Sequence, residues 1–187
     1  MLNFCTVDLS AFYFDIRKDA LYCDSKSAER RKNCIIVLNI ILESLIKWFA
    51  PILSFTTEEI FTLINKDNKS IHLEEFMEFP KSFQNEQLNK KWKELKKIRD
   101  ICNVSIEAKR ASKEIGSSLE ANLIISLNKN LIELIKNTDM AELCITSAAE
   151  IIETTSNETT VQTKKAEGEK CPVCWKINKD GCARHPN

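Results

Sequence analysis

The chain has 187 residues, enough for one sizeable core and a small appendage, and its 27 basic and 27 acidic side chains give zero formal net charge. This balance excludes a uniformly basic nucleic-acid binder, so any such surface must be a local patch. Only three glycines occur, and the chain has no G-x-G-x-x-G or G-x-x-x-x-G-K-[ST] motif, which excludes the usual phosphate-binding loops.

Residues 1–21 are predicted to form an amphipathic helix, because apolar side chains recur at helical spacing from Leu2 onward. No capping residue precedes this pattern, so we expect the chain to be a segment of a longer polypeptide. The first residues also lack the basic leader and cleavage site of a secretory signal, which predicts a cytoplasmic protein.

The run from Arg30 to Ile64 predicts a long helix, a bend at Pro51 and a shorter second helix. Apolar residues cover most of the first helix, a pattern typical of the centre of a helical bundle. Glu43 and Lys47 interrupt the run short of the roughly 18 apolar residues of a membrane span.

The second helix of this run is predicted to begin with a capping box. In Thr56-Thr57-Glu58-Glu59 the Thr56 hydroxyl could accept from the Glu59 amide, while the Glu59 side chain reaches back. Both glutamates would also lie at the positive end of the helix dipole.

Glu86 to Ala111 predicts another long helix, which is rich in basic residues. Its predicted buried stripe is Leu88, Trp92, Leu95, Ile98, Cys102 and Ile106. From Lys90 to Lys113 nine basic residues face three acidic ones, an excess that fits either an RNA contact or a solvated face.

The sequence changes character after Gly116, where a small α+β unit is predicted. Leu119–Leu127 reads as a strand, Asn130–Asn137 as a short helix and Leu143–Thr146 as a second strand. The polar stretch Thr154–Thr163 is either a flexible connection or a surface hairpin.

Eight cysteines in a chain without a secretion signal favour thiols and metal ligands over disulfides. Five of them are scattered through predicted elements and are interpreted as small buried hydrophobic residues: Cys5, Cys23, Cys34, Cys102 and Cys144.

The remaining cysteines form the strongest chemical signal. Cys171 and Cys174 make a C-x2-C pair, Cys182 and His185 make a C-x2-H pair, and seven residues separate the two pairs. Zinc prefers four tetrahedral thiolate and imidazole ligands, and pairs at this spacing can each be presented by one tight turn. The sequence therefore predicts one structural Zn²⁺, whose four protein ligands leave no open position for catalysis. A redox dithiol is the other interpretation, but no thioredoxin-like βαβ pattern surrounds these residues.

Basic and aromatic residues around this knuckle are candidate RNA contacts. Residues 164–187 hold six basic and three acidic side chains, and a basic surface with an exposed aromatic ring can bind phosphates and stack on an unpaired base. Trp175 could equally pack internally. Arginines near a helix N-terminus also favour phosphate. The RNA-contact candidates are Arg30, Arg31, Lys170, Trp175, Lys176 and Arg184.

Four stretches of the chain resemble, in order, signatures of bacterial isoleucyl-tRNA synthetases. Three are FYFDIRKD (12–19), WFAPILSFT (48–56) and KEIGSSLEA (113–121), from the anticodon-binding helical domain and the junction after it. The fourth, GEKCPVCW (168–175), resembles the start of the C-terminal zinc finger. The family's finger uses four cysteines, whereas this chain has His185 in the fourth place and a shorter loop between the pairs.

This resemblance implies a mainly α protein in three parts. They are an anticodon-binding helical bundle (1–115), a small α+β junction unit (116–166) and a zinc finger (167–187). The implied partner is tRNA(Ile), bound by a monomer without a membrane. The implied parent enzyme joins isoleucine to tRNA with ATP and Mg²⁺, in a catalytic domain that would precede Met1. No catalytic residue is assigned to this chain, since it contains neither the HIGH-type nor the KMSKS-type motif.

Three other identities remain open from the sequence. A valyl- or leucyl-tRNA synthetase shares the helical architecture, although the terminal finger argues against it. A DNA-repair glycosylase has a similar finger, but residues 1–20 show no proline–glutamate nucleophile region. A free-standing, zinc-stapled nucleic-acid-binding module would bind without regard to the anticodon.

Overall fold

The computed structural model describes residues 1–67 and 69–185. It divides into two compact units, one formed by Met1–Asp19 with Asn85–Asn187 and the other by Ala20–Gln84. Each unit is described by itself below, as unit 1 and unit 2.

Helices account for most of the regular structure. The α-helices are α1 (Asp15–Cys23), α2 (Glu29–Phe49), α3 (Ser54–Ile64), α4 (Glu86–Ala111), α5 (Lys129–Ile135) and α6 (Met140–Cys144). A π-helix spans Phe4–Phe14, and 3₁₀ turns span Ile71–Leu73, Lys81–Phe83 and Ser118–Glu120. The strands are β1 (Ala121–Leu127), β2 (Ala148–Glu153), β3 (Thr160–Lys165), β4 (Glu169–Lys170) and β5 (Ile177–Asn178).

The core of unit 1 is built around β1. This strand lies at the centre of a three-stranded sheet, parallel to β2 and antiparallel to β3. Every second side chain of β1 is fully buried, Ala121, Leu123, Ile125 and Leu127. These side chains share one face of the strand and form one cluster with the buried side of α4.

Helix α4 has the predicted limits, and its core is the predicted one. The Asn85 side chain caps it by accepting from the Leu88 amide at 2.9 Å. Four of the six predicted stripe residues are buried, namely Leu95, Ile98, Cys102 and Ile106. The exceptions belong to the first turns, where Trp92 is partly buried and Leu88 is 49% exposed.

One predicted element of unit 1 was wrong. Residues 143–146 are not a strand, because the Asp139 carboxylate caps helix α6 through the Glu142 amide and Ile145 ends it in a left-handed conformation. The second strand comes later, as β2. The predicted N-terminal helix is present, with Phe4–Phe14 wound as a π-helix, but its buried residue is Leu9, whereas Leu2 is 78% exposed. The polar stretch 154–163 leads into β3, which pairs with β1.

In unit 2 the bend at Pro51 is confirmed, but the capping box is wrong. Helix α2 ends at Phe49, and α3 begins at Ser54 with no side-chain cap. The Glu58 carboxylate instead accepts from the Ser70 hydroxyl and the Ile71 amide, both at 2.9 Å.

The expectation that α2 is buried all round is also wrong. Of its apolar residues only Cys34 and Ile46 are buried, while Ile36 is 56% exposed. Within unit 2 the elements packed on α2 are α3 and the short turn Ile71–Leu73, which are too few to cover a whole cylinder.

The predicted fold class is confirmed: helices dominate, a small α+β sheet follows and a Cys/His cluster lies near the end of the chain. Among the scattered cysteines, Cys34, Cys102 and Cys144 are buried, whereas Cys5 and Cys23 are half-buried. In the part of the chain that the structure describes, no helix is both long and apolar enough to cross a membrane.

Candidate metal centre and nucleic-acid interface

A short hairpin presents the first pair of candidate metal ligands. Strands β4 and β5 pair antiparallel, with Lys170 opposite Ile177. The turn between them is closed by the Cys171 amide, which donates to the Lys176 carbonyl at 2.9 Å, and by the Trp175 amide, which donates to the Cys171 carbonyl at 3.0 Å. The hairpin thus holds the first two thiols in one tight turn.

The four predicted ligands converge at the mouth of this turn. Their ligand atoms all lie within 4.8 Å of one another. The Sγ atoms of Cys174 and Cys182 are 3.7 Å apart, and His185 Nδ1 lies 3.5 Å from Cys171 Sγ and 3.3 Å from Cys182 Sγ. Two neighbouring turns therefore bring residues from both ends of the segment to one point.

These distances fit a tetrahedral zinc ion. With Zn–S bonds of about 2.3 Å and Zn–N bonds of about 2.0 Å, the edges of the tetrahedron measure about 3.5–3.8 Å. Three of the six separations, at 3.3–3.7 Å, match these edges, and all six lie within 4.8 Å. Three sulfurs and one imidazole are also the donor set that zinc prefers over magnesium or calcium.

Burial and local hydrogen bonds shift the pKa values of the three thiols in different directions. A hydrogen bond from the backbone of Cys174 holds the pKa of Cys171 at about 6, below the usual range of a thiol. Burial raises the pKa of Cys174, against an opposing hydrogen bond from the backbone of Lys176 and another from the Arg184 side chain. Burial raises the pKa of Cys182, but backbone hydrogen bonds from Arg184 and His185 outweigh burial, so the pKa is lowered overall.

The knuckle, defined here as residues 167–185, is attached to the rest of unit 1 at two points. The Ile177 amide donates to the Ser147 hydroxyl at 2.7 Å, and that hydroxyl in turn donates to the Leu119 carbonyl. The Arg184 guanidinium forms a two-pronged ion pair with the Asp19 carboxylate, at 2.7 and 2.9 Å. The knuckle is therefore a docked element of unit 1.

Trp175 is displayed on the surface of the knuckle. It is 56% exposed, and its backbone adopts a left-handed φ of 62°, which is uncommon for a large side chain. The ammonium of Lys170 lies 5.5 Å from the centre of the indole ring. Lys176 follows it in the chain and is half-buried. The knuckle thus displays an aromatic ring with the Lys170 cation against it.

The candidate arginines of unit 2 already have intramolecular partners. Arg30 forms a two-pronged pair with Asp24 at 2.7 and 2.8 Å, and Arg31 donates to the Leu21 carbonyl at 2.9 Å. Arg30 thus ties the start of α2 to the residue that follows α1, and Arg31 ties it to the last turn of α1. Any contact with phosphate would have to be made by the donors that these bonds leave, or in exchange for the bonds.

The basic excess of α4 is partly compensated in the folded chain. Ion pairs join five of the nine basic residues in the stretch 90–113 to carboxylates: Lys96 to Asp8, Lys97 to Glu94, Arg99 to Asp15, Lys109 to Glu114 and Arg110 to Glu107. In addition, Lys91 donates to the Lys136 carbonyl and Arg99 to the Leu143 carbonyl. Much of this helix face is therefore engaged within unit 1.

Gly168 is required by the close approach of the two hairpin strands. Its φ is +125°, and a Cβ atom built there would lie 2.3 Å from the Asn178 carbonyl oxygen. We expect Gly168→Ala to force the strands apart and to lower the zinc affinity of the knuckle, measured by competition with a chelating dye. Gly181→Ala is the matched control, since its φ is +78° but nothing lies within 4 Å, so it should add only about 1–2 kcal/mol of backbone strain. Equal affinities in the two variants would contradict this account.

Sequence reasoning identified the four Cys/His residues that the structure brings together, but missed the residues that dock the knuckle. Asp19 and Ser147 lie 165 and 30 residues from their partners, so no local spacing marks them. Asp19 stands in the first of the four family-like stretches, although its position there gave no indication of its contact with Arg184.

Comparisons with known proteins bear on the whole chain. Residues 1–125 match the family described as "Anticodon-binding domain of tRNA ligase". The isoleucine–tRNA ligase of Pelagibacter ubique is 74% identical over 99% of the chain, and those of Bartonella henselae and Agrobacterium fabrum are 41% and 38% identical over 96%. The chain spans about a fifth of the length of these relatives, the matches covering 20% of each.

Proposed function

Because the chain belongs to the family of anticodon-binding domains of tRNA ligases, we propose that it is the tRNA-binding segment of an isoleucine–tRNA ligase. The observation that carries this proposal is 74% identity, over nearly the whole chain, to a relative with that name. The relatives compared above carry the isoleucine name, which favours this identity over a valyl or leucyl enzyme. Cytoplasmic location and a monomeric state are part of the same proposal.

The chemistry of aminoacylation is proposed to reside in other parts of such a ligase. ATP and Mg²⁺ would bind there, and no residue of this chain is assigned a catalytic role. The relatives are about five times as long as the matched region, which leaves room for an activating domain. This chain would bind tRNA(Ile) and hold it in position for the transfer of isoleucine.

The knuckle is proposed to hold one structural Zn²⁺ through Cys171, Cys174, Cys182 and His185. The spacing of the ligand atoms and the depressed pKa of Cys171 support this set, since zinc binds the thiolate form. Bound zinc would fix the two turns of a segment too short to bury a core of its own.

The RNA contact is proposed to centre on Trp175, Lys170 and Lys176. An exposed ring with one cation against it and a second lysine next in the chain suits a nucleotide, because the ring can stack on a base while the ammonium groups bind phosphates. Arg30, Arg31 and Arg184 stay predicted RNA contacts of second rank, since each already has a partner within the chain.

A salt titration of tRNA(Ile) binding tests the proposed function. The two proposed phosphate contacts should lower the affinity about 7–12-fold between 50 and 200 mM salt, because each contact releases counterions. Filter binding or fluorescence anisotropy with the full chain and transcribed tRNA(Ile) measures this slope. An affinity that stays flat across the titration would remove the RNA proposal.

Paired lysine variants and a second tRNA sharpen this test. The double variant Lys170→Ala, Lys176→Ala should lower the number of phosphate contacts inferred from the salt slope by nearly two. The double variant Lys129→Ala, Lys136→Ala, at the two ends of α5, should leave that number unchanged. Equal affinity for a tRNA with a different anticodon would favour a module that binds nucleic acid without regard to the anticodon.

A further inference from the structure

Arg184 connects the metal centre to a distant part of the chain. Its guanidinium donates to both carboxylate oxygens of Asp19, at 2.7 and 2.9 Å. Its backbone lies in the turn between Cys182 and His185, which the His185 amide closes by donating to the Cys182 carbonyl at 3.1 Å. Asp19 lies on helix α1. One residue therefore joins the turn that carries two predicted metal ligands to α1.

The charges of this network complement one another. Three thiolates and a neutral imidazole around Zn²⁺ carry one net negative charge, and the adjacent guanidinium compensates it. Arg184 in turn has only 35% of its side chain exposed and Asp19 only 21%, so water screens the pair incompletely. Arginine suits this position because its planar fork can bind a carboxylate with two bonds and still donate elsewhere.

We propose that Arg184 is a positioning residue that couples zinc binding at the knuckle to the docking of the knuckle on α1 through Asp19. This inference rests on the proposed zinc site but not on tRNA binding. Zinc held by Cys182 and His185 would fix the turn that carries Arg184, so the occupied centre orients the guanidinium toward the carboxylate. Linkage requires the reverse effect to be equally large: a docked Asp19 must raise zinc affinity by the same factor.

The test measures zinc affinity of the full chain by competition with a chelating dye. Asp19→Asn, far from every ligand in the sequence, should lower the affinity by about tenfold, the lower end of the range for residues that orient metal ligands. Asp8→Asn is the matched control, because it breaks an ion pair with Lys96 elsewhere in the N-terminal segment. Arg184→Lys keeps the charge but loses the fork, so it should fall between Asp19→Asn and wild type.

A second readout follows the other end of the linkage. Hydrogen exchange of residues 15–23 should slow when zinc is added to the wild type, but not when it is added to Asp19→Asn. Combining Asp19→Asn with Arg184→Lys should cost little more than Asp19→Asn alone, since both remove one interaction. Far-ultraviolet circular dichroism checks that each variant remains helical, and Arg184→Lys serves if Asp19→Asn does not fold.

The possible outcomes separate this inference from the proposed function. Zinc affinity of Asp19→Asn within twofold of wild type would overturn the coupling. A wild-type hydrogen-exchange rate at residues 15–23 that does not change when zinc is added would overturn it as well. Unchanged zinc affinity together with tighter tRNA binding in Asp19→Asn would mean that Arg184 is an RNA contact instead. A wild-type chain that binds no zinc would overturn the metal site and the coupling together, yet leave the tRNA proposal standing.

Discussion

Cys171→Ser is expected to abolish stoichiometric zinc binding and to unfold the knuckle while the sheet of unit 1 stays intact. Metal binding supplies about 10–16 kcal/mol in finger peptides of this kind, which is effectively all of their folding free energy. Residues 167–185 have only two-residue strands, and within them only Cys171 and Cys174 are buried. Without the metal, therefore, little else would hold the two turns together.

Metal analysis and limited proteolysis together measure this effect. The wild type should contain one zinc per chain and resist cleavage after Lys170, Lys176 and Lys179, whereas Cys171→Ser or chelator-treated protein should be cut there quickly. Cys5→Ser is the matched control, since Cys5 is half-buried and lies outside the cluster. A zinc-free wild type, combined with equal protease resistance in Cys171→Ser, would eliminate the metal site.

Ile125→Ala is expected to destabilise unit 1 by about 2–5 kcal/mol, the cost of leaving a cavity in a packed core. The side chain is fully buried in the middle of the central strand, between Ile151 on β2 and Val161 on β3. Denaturant unfolding followed by circular dichroism gives the free energy of unfolding. Because about 5–15 kcal/mol is the whole stability of a typical domain, the variant should unfold at a clearly lower denaturant concentration.

The control for this variant is the same substitution on the adjoining strand. Ile152 is 43% exposed, so Ile152→Ala shares the loss of β propensity but creates little cavity. Its cost should stay below about 1 kcal/mol, as for most exposed positions. Equal losses of unfolding free energy in the two variants would contradict the difference in burial between Ile125 and Ile152.

The parts of the molecule that were predicted correctly are those determined by local pattern. The 3.6-residue apolar period predicted helix α4, whereas the Asn85 cap at its start is seen only in the structure. The clustering of the four Cys/His residues was predicted for a similar reason, because their spacing depends only on two tight turns. The domain limits at residues 115 and 166 and the residue-level RNA contacts stay predictions.

The errors arose where distant contacts decide the local structure. The Thr56–Glu59 pattern satisfies the rule for a capping box, but the Glu58 carboxylate is engaged by Ser70 and Ile71, which the local pattern does not reveal. Similarly, residues 143–146 have an apolar, β-branched composition, yet the Asp139 cap and the left-handed Ile145 make a short helix and a turn of them. The exposed sides of α2 were missed because apolarity alone does not say how many elements pack around a helix.

The division of unit 1 between two separate stretches of chain also constrains the order of assembly during synthesis. Residues 1–19 leave the ribosome before residues 20–84, and the strands that complete their unit emerge only after that stretch. Unit 2 is one continuous stretch, so it can fold while residues 1–19 still lack the strands that will cover their apolar side chains. Nascent chains of this protein therefore pass through a stage that favours chaperone capture.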